Sequence, residues 1–312
     1  MVGLVGRVSI APTLPRAALA ALLFNATIWG LSWWPLRELA RLGLNGLWAT
    51  AIVFLIGSVS LIAIWPGALT QLVRSRPMWL LALAAGLTNT CFNWGMTVGE
   101  VLRVVLLFYL MPVWSMFFAR WLTGEPITTG AILRALLAIA GAAAVLWRPG
   151  LGLPWPAGLG DWLGVAGGVS FAFLNVWLRR MGETAAAARA LAMSVGSAAV
   201  PALVASVLAT VGLLETPPPL HVDWMIGAAA LAAVLLIANG ALQYGAPRLP
   251  SRVTAIVMLV EVPVAAVSSV LIGGESLSPQ LIAGGALIIF ASALAACSIR
   301  PQRAPREHSG LS

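Results

Sequence analysis

The chain has 312 residues, of which 60% are hydrophobic and only 9% charged, with a mean hydropathy of +0.96. Soluble domains run at about 45–50% apolar and about 25% charged, and one soluble core of this size could not hide the excess. A cytosolic enzyme, a disordered chain and a disulfide scaffold are therefore excluded, and the class is a polytopic membrane protein. The formal charge is +8, carried by 18 Arg and no Lys. Most of these Arg residues flank apolar runs, where membrane proteins place them, so they read as topology signals and not as a nucleic-acid surface. Cys91 and Cys297 both lie in apolar runs and form no CxxC pair, which leaves no disulfide or metal motif.

A bilayer-spanning helix takes about 20 mostly apolar residues. Ten such runs follow in chain order: 17–36, 46–65, 77–97, 101–121, 129–147, 160–179, 188–211, 223–245, 251–272 and 279–298. Arg7 and Arg16 precede the first, which resembles a signal peptide. Its length, the lack of a cleavage site and the spans that follow make it a retained helix. With the N-terminus inside, 13 Arg fall on the inner side: Arg7, Arg16, Arg74, Arg76, Arg120, Arg179, Arg180, Arg189, Arg248, Arg252, Arg300, Arg303 and Arg306. Only 4 fall outside: Arg37, Arg41, Arg103 and Arg148. Both termini are therefore expected in the cytoplasm.

The halves resemble each other at a period near 150. Asn89, Asn93, Trp94 and Gly95 align with Asn239, Gln243, Tyr244 and Gly245, and Pro112 with Pro263. Gly124-Glu125 aligns with Gly274-Glu275, and Arg148-Pro149 with Arg300-Pro301. The expected domains are residues 1–150 and 151–312, each a five-helix unit. An odd number of crossings turns the second copy upside down, and inverted repeats are a common transporter architecture with the substrate site at their interface.

Ten helices in two five-helix units resemble the drug/metabolite transporter superfamily, EamA-type branch. The carrying features are Trp29-Gly30 in the first span, the mid-span Pro112 and Pro263, and Gly-Glu before the fifth and tenth spans. The run Phe24-Asn25-Ala26-Thr27-Ile28-Trp29-Gly30-Leu31-Ser32-Trp33-Trp34 looks closest to bacterial aromatic amino-acid exporters of the YddG type. That resemblance implies a basket-like fold in the bacterial inner membrane. It also implies export of neutral and aromatic amino acids, and fifth and tenth helices that are peripheral or dimer-facing in a monomer or homodimer.

Glu261 lies near the middle of the ninth span. A carboxyl there must face a cavity, find a partner or keep its proton. It reads either as a proton-coupling or ammonium-binding group, or as a structural acid bonded across helices. The fourth span has Tyr109, Leu110 and Met111 before Pro112 and no matching acid. Pro112 and Pro263 break the helical ladder, giving a fixed kink or a gate. Asn89 with Asn93, and Asn239 with Gln243, share helix faces at spacings of four and suit a zwitterion or ordinary interhelical bonds; Trp94 and Tyr244 follow them. Trp29, Trp33, Trp94, Trp114 and Trp177, with Asn25 and Asn175, suit either an aromatic box or bulky packing. Trp48 and Trp224 sit at span ends, as an interfacial belt would. Gly160, Gly164 and Gly168 mark close packing; Gly284 and Gly285 do likewise, with a dimer face as the second reading. Glu100 and Arg103 lie near one entrance, where they read as a pair or as a group neutralising a passing carboxylate, with a snorkelling Arg103 the favoured reading.

Gly158-Leu159-Gly160-Asp161 fits a GxGD intramembrane protease string, but such chemistry needs two embedded aspartates side by side. The only other Asp, Asp223, and Asp161 both sit at outer span ends, where helix capping accounts for them. Scarce buried basic residues disfavour phosphorylated substrates, while drugs or other small metabolites stay open. No cofactor, metal or nucleotide motif is present, so the energy is expected from gradients, protons among them.

Overall fold

The computed structural model describes residues 15–147, 155–181 and 184–297. All regular structure among these residues is helical. In chain order the helices are α1 (Arg16–Leu31), α2 (Trp33–Arg41), α3 (Gly46–Ile64), α4 (Gly67–Arg74), α5 (Arg76–Val98), α6 (Val101–Phe108), α7 (Met111–Thr123) and α8 (Thr129–Leu146). After these come α9 (Leu159–Met181), α10 (Ala186–Thr210), α11 (Val222–Gly245), α12 (Ser251–Met258), α13 (Glu261–Leu271) and α14 (Pro279–Cys297), with a short 3-10 turn at Ala246–Arg248.

Three spans are broken in the middle, and each break precedes a proline. Pro35 sits early in α2, Pro112 early in α7 and Pro263 early in α13. A proline has no N–H for the carbonyl four residues back, and its ring crowds that carbonyl, so the ladder fails just upstream. Ser32 at the first break donates its hydroxyl to the Trp29 carbonyl at 2.7 Å. The amphipathic α4 was not expected within the connection after α3; it buries Ala68 and Leu72.

Among the described residues nine helical segments are long and apolar enough to cross a membrane, against the ten runs expected. The missing one is α5. It has the length, at 23 residues, but carries Thr88, Asn89, Thr90 and Asn93. Its polarity is tolerated because α9 and α10 pack against it, and it buries more than half its residues. Arg7, Arg148, Pro149, Arg300, Pro301, Arg303 and Arg306 lie outside the described residues.

Glycines set the closest helix contacts. Gly160, Gly164 and Gly168 on α9 lie against Gly99, the Val104 carbonyl and the Phe108 carbonyl, so this stripe receives α6 along its whole length. Gly30 on α1 lies against the Glu261 carbonyl and Val264 of α13 in the same manner. Gly95 meets Gly160 and Leu163 near the start of α9, and Gly245 meets Ala18 and Leu22 near the start of α1. Gly86 and Gly196 bring α5 and α10 together, and Gly141 and Gly284 join α8 to α14. Gly284 thus serves a contact within the chain.

We call the end where α1 begins the terminal end and the opposite one the distal end. One core cluster fills the middle and the distal end, running from Trp33, Leu36 and Leu44 through all of α6 to Trp224 and Ile288. Toward the terminal end the core divides. Leu72, Met78, Leu81, Leu174 and Leu191 form one cluster among α4, α5, α9 and α10, and Ala18, Leu22, Leu249 and Val257 form another beside α1 and α12.

Candidate functional site

Two of the broken spans meet at Tyr109 and Glu261. Tyr109 occupies the break between α6 and α7, and Glu261 is the first residue of α13 after the break from α12. The Tyr109 hydroxyl donates to Glu261 Oε2 at 3.0 Å and reaches the Met258 carbonyl at 3.3 Å. That carbonyl is free because the Val262 N–H bonds Leu259 instead. The Tyr109 carbonyl is freed likewise, since the Val113 N–H bonds Leu110, and it accepts from the Ser292 hydroxyl at 3.4 Å. Each break therefore supplies acceptors that the other elements use, which meets the need for every backbone group in a bilayer to be satisfied. Glu261 is buried, at 8% exposure, and has a defined donor. Pro112 is half-buried and Pro263 exposed.

The amides take different places. Asn25 is fully buried; its Nδ2 donates to the Ala238 carbonyl of α11 at 2.8 Å, while its Oδ1 has no protein partner. Asn93 is buried with Oδ1 equally unpartnered. Asn89 is committed to α10, donating to Ser197 Oγ at 2.9 Å. Asn175 is exposed and donates to its own helix at the Phe171 carbonyl. Asn239 is half-buried and Gln243 exposed. Tyr244 is exposed, with the Arg248 guanidinium 4.0 Å from its ring centroid.

Tryptophans divide in the same way. Trp29 is half-buried on the main core, and Trp94 is half-buried on α5. Trp33 is wholly packed and donates to Ser268 Oγ at 2.9 Å. Trp177 donates to the Pro77 carbonyl at 3.1 Å and stacks on Phe173. Trp33 and Trp177 are thus held by protein partners, which favours packing over an open aromatic box for these two. Trp114 Nε1 and Thr254 Oγ1 are buried without protein partners. Trp224 departs from the expected interfacial belt: it is buried, bonded to the Pro219 carbonyl.

Arg103 corrects another expectation. It does not snorkel; it is buried at 7% exposure and pairs with Asp161 at 2.6 Å. Its Nη1 also donates to the Val145 carbonyl at 3.0 Å. Asp161 receives the Ala157 N–H on its other oxygen, so it caps the entry to α9 while pairing with Arg103. A second pair, Arg37 and Glu275 at 3.0 Å, was missed because 238 residues separate its members. The Gly-Glu spacing marked Glu275 as a repeat feature but gave no sign of its partner. Two surface recesses lie at the distal end, one beside Glu100 and Glu275 and one beside Pro218 and Trp224; neither touches Glu261.

Residues 16–147 match the EamA-like transporter family. This stretch, α1 to α8, is therefore similar to an EamA-like transporter domain. The family comprises transporters and not enzymes, and the match points to a membrane transporter of small metabolites. A protein of known crystal structure shares the fold at a TM-score of 0.57 and 19% identity, over 90% of this chain and 96% of that one. This likeness of fold takes in the helices after residue 147 as well. No curated protein matches the chain.

Proposed function

We propose that the protein exports neutral amino acids, aromatic ones included, from the cytoplasm by alternating access of two inverted five-helix repeats. The observation that carries this reading is the Tyr109–Glu261 contact, where the breaks of two spans at corresponding places in the two halves touch. Substrate sites of inverted-repeat transporters lie at the repeat interface near the membrane midplane, among discontinuous helices. The matched glycine contacts, Gly168 on the Phe108 carbonyl and Gly30 on the Glu261 carbonyl, support a division near residue 150. The Arg bias supports a bacterial inner-membrane protein with both termini in the cytoplasm, so that the terminal end faces inward.

The substrate class follows from the kinds of atom available. Asn25 Oδ1 and Asn93 Oδ1 are spare buried acceptors and suit an ammonium group. Trp114 Nε1 is a spare buried donor and suits a carboxylate, while its ring offers an apolar face to an aromatic side chain. Glu261 is the group through which protons would couple.

The deciding experiment is counterflow in proteoliposomes with a panel of neutral amino acids. Exchange of aromatic and other neutral members is expected. Exchange of a different solute class, with none of any amino acid, would replace this reading with export of drugs or other metabolites.

A further inference from the structure

The two Gly-Glu turns are geometric copies. Gly124 ends α7 with φ of 73° and Gly274 follows α13 with φ of 68°, the left-handed region that favours glycine. In each the next residue's N–H reaches back six residues: Glu125 to the Ala119 carbonyl and Glu275 to the Ser269 carbonyl. Their carboxylates nevertheless do different things.

At the distal end Glu275 Oε1 accepts from Arg37 Nη2 and from the Val101 N–H, each at 3.0 Å. Arg37 also donates to the Met96 carbonyl at 3.0 Å and the Gly99 carbonyl at 2.7 Å. Its guanidinium lies 5.1 Å from the Trp33 ring centroid. One ion pair thereby fastens α2, the end of α5, the start of α6 and the turn before α14. Arg103 and Asp161 tie α6 to α9 nearby.

At the terminal end Glu125 binds the Thr123 hydroxyl of its own turn and stands 3.6 Å from Arg179, with both side chains more than half exposed. Arg179 is near the place that corresponds to Arg37. Arg37 lies seven residues beyond Gly30; seven beyond Gly168 is Asn175, and Arg179 is one helical turn further. The core divides at this end and is continuous at the other.

We propose that the two Gly-Glu turns are alternating latches, and that the structure is the state held tightly at the distal end and loosely at the terminal end. In the opposite state Glu275 releases Arg37 and the α6 N-terminus, while the exposed Glu125–Arg179 pair, 3.6 Å apart here, tightens. Charge-assisted bonds that tighten at one end then offset those that loosen at the other. The inference rests on the alternating-access reading but on no particular substrate.

The test uses full-length protein in detergent with Cys91→Ala and Cys297→Ala, and a bulky polar maleimide as probe. Met96→Cys reports the distal end, where Met96 is 1% exposed, and Asn175→Cys reports the terminal end, where Asn175 is exposed. With the latch intact Met96→Cys is protected. Glu275→Gln raises its labelling on the order of tenfold and slows that of Asn175→Cys. Arg37→Gln reproduces both changes, whereas Glu125→Gln leaves Met96→Cys protected. Wild-type labelling at both probes in a monodisperse Glu275→Gln or Arg37→Gln protein overturns the proposal. No substrate is needed, so the latch fails or stands independently of amino-acid counterflow.

Discussion

Tyr109 and Glu261 join the two breaks of the fourth and ninth spans through one hydrogen bond of 3.0 Å. The bond ties a residue of the EamA-like stretch to one outside it. Any motion of one broken span against the other must either keep this contact or give the buried carboxyl another partner.

Glu261→Gln preserves an acceptor for Tyr109 but removes the titratable proton. The expected result is a slower transport cycle whose rate no longer varies with pH, with the fold retained. Counterflow measured across a pH series, beside thermal unfolding in detergent, checks this. A wild-type profile would make Glu261 a structural acid.

Tyr109→Phe removes the donor and leaves the buried carboxyl without it. Interhelical hydrogen bonds in membrane proteins are worth about 0.6 kcal/mol on average and up to about 1.7, so a loss in that range is expected. In a double-mutant cycle with Glu261→Leu, which removes the acceptor, a coupling energy of similar size is the readout.

Arg103→Ala should be among the most damaging single changes outside the centre. It strands the buried Asp161 carboxylate, and breaking a buried pair costs about 3–5 kcal/mol. The pairwise replacement Arg103→Met with Asp161→Leu should be far milder than either single change, which thermal unfolding can rank.

Asn89 and Asn93 are expected to separate in their effects. Asn89→Ala loses the bond to Ser197 and lowers stability by about 1 kcal/mol with little change in apparent substrate affinity. Asn93→Ala removes an acceptor with no protein partner and should raise the KM for amino acid at unchanged stability.

Glycine substitutions offer a further contrast. A methyl group at Gly196 would run into the Ala82 backbone, whereas at Gly240 it would meet nothing within 4 Å. Gly196→Ala is expected to cost about 1–3 kcal/mol by overpacking, and Gly240→Ala to stabilise by about 0.5–1 kcal/mol through helix propensity. Melting temperatures of the two variants in one detergent suffice.

Much of this protein was determined by its sequence alone. Membrane residence, span positions, the broken spans at Pro112 and Pro263 and the close-packing role of Gly160, Gly164 and Gly168 are local properties of composition, proline chemistry and periodicity. Only the tertiary structure decided partnership. The sequence shows Arg103, Asp161, Arg37 and Glu275 as charges at span ends, and nothing local distinguishes a snorkelling guanidinium from one buried on a carboxylate 58 residues away. It likewise shows Asn89 and Asn93 as equal members of one face, yet only their neighbours leave Asn93 Oδ1 unpartnered while Asn89 holds α10. The period of 150 aligned the two Gly-Glu turns, but the difference between them, one latched and one loose, comes from how the helices are arranged in space. The residues around the two turns differ, and packing decides which carboxylate is partly buried against a partner and which stays exposed.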